Sequence, residues 1–85
     1  MKVFAQFDGG ACYAPSDIEE FKSIAAVKRA YGPALLREDR SFPLVSDDAE
    51  VLLYHVDPLE VGNEDAYPFG ILKRGPRGGL VIDVC

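Results

Sequence analysis

The chain has one histidine, His55, and Asp57 follows it two positions later in the stretch VLLYHVD. On an extended strand residues i and i+2 share a face, so these two side chains are the nearest approach to acid–base machinery in the sequence. A catalytic relay also needs a nucleophile and an oxyanion site, and no G-x-S-x-G or comparable context supplies them. The expectation is a structural or interfacial histidine, no catalytic residue and no enzyme. Cys12 and Cys85 could close one disulfide around almost the whole chain, but without an export signal reduced thiols are expected. With a single histidine and two distant cysteines, a zinc site would have to recruit carboxylates. Asp57, Glu60, Glu64 and Asp65 lack the alternating D-x-D-x-D-G order of a calcium loop. Asp8-Gly9-Gly10 and Gly75-Pro76-Arg77-Gly78-Gly79 match no phosphate-binding fingerprint and read as turns. No metal or cofactor is expected.

Two charge clusters are the remaining candidates. The formal net charge is −5, and residues 43–66 carry Asp47, Asp48, Glu50, Asp57, Glu60, Glu64 and Asp65 without a lysine or arginine. Such a region repels phosphate and suits a basic protein surface, although many acidic loops only keep a small protein in solution. Lys73, Arg74 and Arg77 surround the glycine-rich turn and could grip phosphate, but the aromatic interleaving of a single-strand binder is missing.

The elements that must position these residues follow from period and punctuation. With 85 residues, 48% of them apolar, the chain makes one domain, 1–85, too small for both a core and a large substrate cavity. No apolar run approaches the length of a membrane span, and the first residues alternate as a strand, so a cytoplasmic protein is expected. Lys2–Phe7 forms the first strand and Ile18–Lys22 a short second one. Ser23 is the N-cap of a helix over Ile24–Tyr31, which ends on a left-handed Gly32 or continues with a kink through Pro33 to Glu38. Asp39–Glu50 is the crossing loop, Val51–Val56 a central strand, and Phe69–Arg74 with Leu80–Val84 a hairpin around a five-residue loop. The order β-β-α-β-β-β predicts an α+β domain, an antiparallel or mixed sheet with the helix on one face.

A lone helix leaves the other sheet face uncovered. If Val3, Ala5, Phe7, Leu52, Tyr54, Val56, Leu80, Ile82 and Val84 point at the helix, then Phe4, Val51, Leu53, His55, Val81 and one of Ile71 or Leu72 form an apolar interface on the opposite side. A symmetric homodimer or the Leu59–Pro68 loop could cover it. On this reading Leu53→Lys changes association and leaves the fold intact.

KVFAQFDGG, EEFKSIAAVKRAY, Asp57-Pro58, AYPFGILKRGPRGG and the terminal Cys85 together resemble a family of small actinobacteriophage (mycobacteriophage) proteins of unassigned function. The resemblance covers most of the chain. It implies a phage accessory protein acting inside the host cell and assigns no site residue. The function expected is binding of a host or phage protein through the apolar face, the acidic 47–65 region, or both. The alternative is association with nucleic acid through the 73–79 hairpin, and a small hydrolase built on His55 and Asp57 is more remote.

Overall fold

Val3, Ala5 and Phe7 alternate with Phe4, Gln6 and Asp8, and this period of two builds β1 (Val3–Asp8), buried on one side only. The computed structural model describes residues 2–8, 17–36 and 49–84. Within them β2 (Glu19–Phe21), α1 (Ile24–Leu35), β3 (Glu50–Tyr54), β4 (Gly70–Arg74) and β5 (Leu80–Val84) follow β1. The strands form one five-stranded sheet, ordered β2-β1-β3-β4-β5, with every neighbouring pair antiparallel. This is the α+β architecture the element order predicted, with β3 central. The expected Cys12–Cys85 thiols, Asp47 and Asp48, and most of the crossing loop lie outside the described residues.

α1 starts where expected: Ser23 is extended and its Oγ accepts the Ala26 N–H at 3.2 Å, satisfying one of the unpaired donors of the first turn. Its end differs. Gly32 is no left-handed cap; the helix runs through Gly32 and Pro33 to Leu35, and Leu36 N–H closes it on the Gly32 carbonyl at 2.9 Å. Gly32 has a packing role instead. A Cβ there would sit 3.2 Å from Cδ1 of Leu80, so the missing side chain lets the helix approach β5.

Beneath α1 lie Val3, Ala5 and Phe7 of β1, Val51 and Leu53 of β3, and Leu72 of β4, packed with Val27, Ala34 and Leu35 of the helix. Tyr31 anchors the helix laterally. Its ring stacks on Phe7, meets Phe21 edge-on at 5.7 Å, and its hydroxyl donates to Glu19 Oε2 at 3.1 Å.

This register corrects the expected phase of β3. Phe7 pairs with Val51 and Ala5 with Leu53, so Val51 and Leu53, both 0% exposed, belong to the covered face. Leu52 and Tyr54 lie with Phe4 on the helix-free side. Glu50 shares the open side with its register partners Asp8 and Lys73, and a period of two then carries Val51 inward. Val56 lies beyond the end of β3 and is exposed, and Val84, although on the helix side, is 85% exposed at the far edge.

Candidate functional site

The run of β-branched and aromatic residues that makes β3 stops at Tyr54, and the chain does not return to the sheet until β4. The neck of this excursion is closed twice. Phe69 N–H donates to the Leu53 carbonyl at 2.7 Å while Gly70 is the register partner of Leu53, so two residues on one strand face one on the other, a bulge. The His55 ring stacks on Phe69, centroids 4.0 Å apart and planes 14° off parallel. The result is a compact surface loop with adjoining ends, of the Ω type.

Inside the neck the backbone is tied by turns that share their end residues. Glu60 N–H reaches the Asp57 carbonyl at 3.2 Å, Asn63 N–H the Glu60 carbonyl at 3.0 Å, and Ala66 N–H the Asn63 carbonyl at 3.0 Å. Asp57 Oδ1 accepts the Leu59 N–H at 2.9 Å, and the Asn63 side-chain amide donates to the Asp57 carbonyl at 3.0 Å. Gly62 takes φ +97°, a conformation L side chains rarely adopt, and its N–H donates to Glu64 Oε1 at 3.1 Å. That bond, followed by one from the Glu64 backbone, holds the Glu64 carboxyl below its ordinary pKa.

A loop so constrained would be expected to turn its apolar residues onto the sheet. Val56, Leu59, Val61 and Tyr67 instead point outward, at 43%, 74%, 94% and 85% exposure. They stand among the exposed Glu60, Glu64 and Asp65. The surface is apolar and acidic together, and the loop contains no lysine or arginine.

The predicted site residues fall into separate places. His55 is exposed and committed to its stack; it forms neither a hydrogen bond nor an ion pair with Asp57, whose Oδ1 caps the next turn. Val51 and Leu53 are core residues. Phe4 and Val81 do lie on the helix-free face, where the register adds Leu52, Tyr54 and Ile71, three residues assigned elsewhere or left open by the sequence. Tyr54 is buried and Phe4, Leu52 and Ile71 are partly buried, so less apolar surface is open here than the sequence suggested. Burial also pushes the Tyr54 phenol above its ordinary pKa.

Of the acidic residues, Glu50 belongs to β3, beside Lys73, whereas Asp57, Glu60, Glu64 and Asp65 share the loop. Among the described residues no three histidine, cysteine or acidic side chains are placed to hold one metal ion. Successive strand residues face opposite sides, so Lys73 and Arg74 diverge. Lys73 Nζ pairs with Asp83 Oδ2 at 2.5 Å, and that hydrogen bond, with the attraction of the same carboxylate, raises the lysine pKa. Arg77 sits in the exposed hairpin turn.

The exposed apolar residues of the loop were the feature sequence reading missed. The available signal was the interleaving of Leu59, Val61 and Tyr67 with acids in PLEVGNEDAY, which a strand-and-helix period does not register.

Comparison of the chain with family models, with curated proteins and with solved structures finds no match in any of the three. No helix among the described residues is long and apolar enough to cross a membrane.

Proposed function

We propose that the protein is a non-enzymatic binding module that docks on another protein through the 55–69 loop. The observation that supports this is the outward presentation of Val56, Leu59, Val61 and Tyr67 from a loop whose backbone is already fixed. Exposed apolar side chains cost solubility, and a rigid scaffold that holds them out reduces the ordering entropy lost on binding. The acidic rim of Glu60, Glu64 and Asp65 defines the partner's chemistry: an apolar pocket or groove bordered by lysine or arginine. The resemblance to small actinobacteriophage proteins supports a phage accessory role, with the partner a host or phage protein in the host cytoplasm.

The helix-free sheet face supports the same class of function less well, because its central residues are already largely covered. The nucleic-acid reading is weaker again. Lys73 is tied to Asp83, and Lys73 and Arg74 leave β4 in opposite directions, so the three cations do not converge on one phosphate track.

The test is capture of host proteins by the chain and by the double variant Leu59→Ser/Tyr67→Ser. Both positions are exposed, so the fold should persist, as circular dichroism would check. Loss of a partner captured by the original chain, with weaker capture at high salt, is the expected result. An identical set of partners for the two chains would refute the loop as the docking surface.

A further inference from the structure

The two edges of the sheet are built differently. β2 has three residues, two of them glutamates, and Glu20 pairs with Lys2 at 3.8 Å. Short length and charge are the usual protection of an edge strand. β5, Leu-Val-Ile-Asp-Val, has neither proline nor lysine, and its only charge, Asp83, is neutralised from its own sheet by Lys73.

The ladder fixes which backbone groups this edge offers. Gly75 N–H donates to the Gly79 carbonyl at 2.6 Å, the last bonded pair before the turn. Antiparallel pairs alternate between bonded and non-bonded, so Lys73–Val81 and Ile71–Asp83 exchange hydrogen bonds, whereas Arg74–Leu80, Leu72–Ile82 and Gly70–Val84 do not. The other side of β4 agrees, since the bulge directs Gly70 toward Leu53 of β3. Leu80, Ile82 and Val84 therefore aim their N–H and C=O groups away from the sheet, and among the described residues these groups have no hydrogen-bond partner.

We infer that β5 pairs antiparallel with β5 of a second copy of this chain, joining the two sheets across a two-fold axis at Ile82. One register uses every outward group. Ile82 faces its symmetry mate and Leu80 faces Val84 of the second copy, which forms about six backbone hydrogen bonds at two per bonded pair. The same register suits the side chains. Val84, 85% exposed in the single chain, packs against Leu80 of the other copy on the helix side. Asp83 falls opposite Val81 rather than opposite its own mate, so no like charges meet across the axis. The β2 edges have no such partner, and the assembly closes at two.

The intact chain in a concentration series by analytical ultracentrifugation should give a species of about twice 9.3 kDa. Hydrogen exchange identifies the surface: the Leu80, Ile82 and Val84 amides should become protected as concentration rises, while Val81 and Asp83 stay protected throughout. Ile82→Pro removes an outward donor without touching the β4 ladder and should weaken the dimer roughly tenfold or more. Val84→Lys, at a site 85% exposed in the single chain, should do the same with the monomer fold kept. A monomer at all concentrations, a dimer whose three amides stay unprotected, a larger open series, or a dimer indifferent to Val84→Lys would each overturn the inference.

Discussion

The ring of Tyr31 lies on that of Phe7, centroids 5.5 Å apart and planes within 1° of parallel, so one helix residue grips the sheet's covered face at β1. Tyr31 also meets Phe21 and Glu19 of β2, which gives the short edge strand its tie to the helix. Tyr31→Ala should cost about 2–4 kcal/mol, less than a fully buried aromatic, because the ring is partly exposed. Tyr31→Phe keeps the stack and loses only an exposed hydrogen bond, so its cost should stay below about 1 kcal/mol. Urea unfolding of both variants measures the difference.

The phase of β3 gives a sharper contrast. Leu53 is fully buried beneath α1 and Leu52 is partly buried on the other face. Leu53→Lys should abolish cooperative folding, since an unpaired ammonium would have to enter the core, whereas Leu52→Lys should cost about 1–2 kcal/mol. Thermal melts followed by circular dichroism check this; equal effects at the two positions would contradict the register.

These two neighbours also show where the sequence stopped being legible. The order of elements could be read because each has its own punctuation: Ser23 before the helix, Pro58 after β3, and glycines around the last turn. The phase of β3 could not, because Val51-Leu52-Leu53-Tyr54 is apolar at every position and a period of two has no foothold in it. Only the pairing with β1 resolves the choice, and that pairing is a long-range contact. Gly32-Pro33 left two helix ends open for a similar reason. Local rules read the pair as a stop or a kink, while packing against Leu80 uses the bare glycine to bring helix and sheet together. The outward side chains of the loop follow no period, so no rule of alternation could reveal them.

Stability should fall at alkaline pH. The Tyr54 phenol is raised by burial and the Lys73 ammonium is raised by Asp83, from ordinary values of 10.0 and 10.5. For a group whose folded pKa is raised, the stabilisation is complete below the unfolded pKa and is lost as pH climbs through the folded one. Denaturant midpoints should therefore hold steady up to about pH 9.5 and decline above it. Tyr54→Phe should flatten part of that decline, and an unchanged slope would show that the phenol takes no part.

The hairpin between β4 and β5 disfavours a side chain at two of its glycines. A Cβ on Gly75 would lie 2.7 Å from Cγ1 of Val81, and Gly78 holds φ +86°. Pro76 follows Gly75 as the second residue of the turn that Gly78 N–H closes onto the Gly75 carbonyl at 3.0 Å. Gly78→Ala should cost about 1 kcal/mol from backbone strain, and Gly75→Ala more, because β-branched Val81 has little rotamer freedom to retreat. Gly79, which has open space at its Cβ, is the control: Gly79→Ala should be close to neutral in the same melts.

The sheet order places β1 against β3, and this gives the molecule a seam. Everything up to Leu36 contributes β1, β2 and α1; everything from Ala49 onward contributes β3, β4 and β5. Among the described residues the backbone ladder between those halves is the β1–β3 pairing, backed by the side chains under the helix. A chain cut once between the halves would yield two fragments with complementary exposed strands and complementary oily faces. Mixed together, they should reconstitute the sheet, so the protein could serve as a split reporter whose signal appears only when its pieces meet.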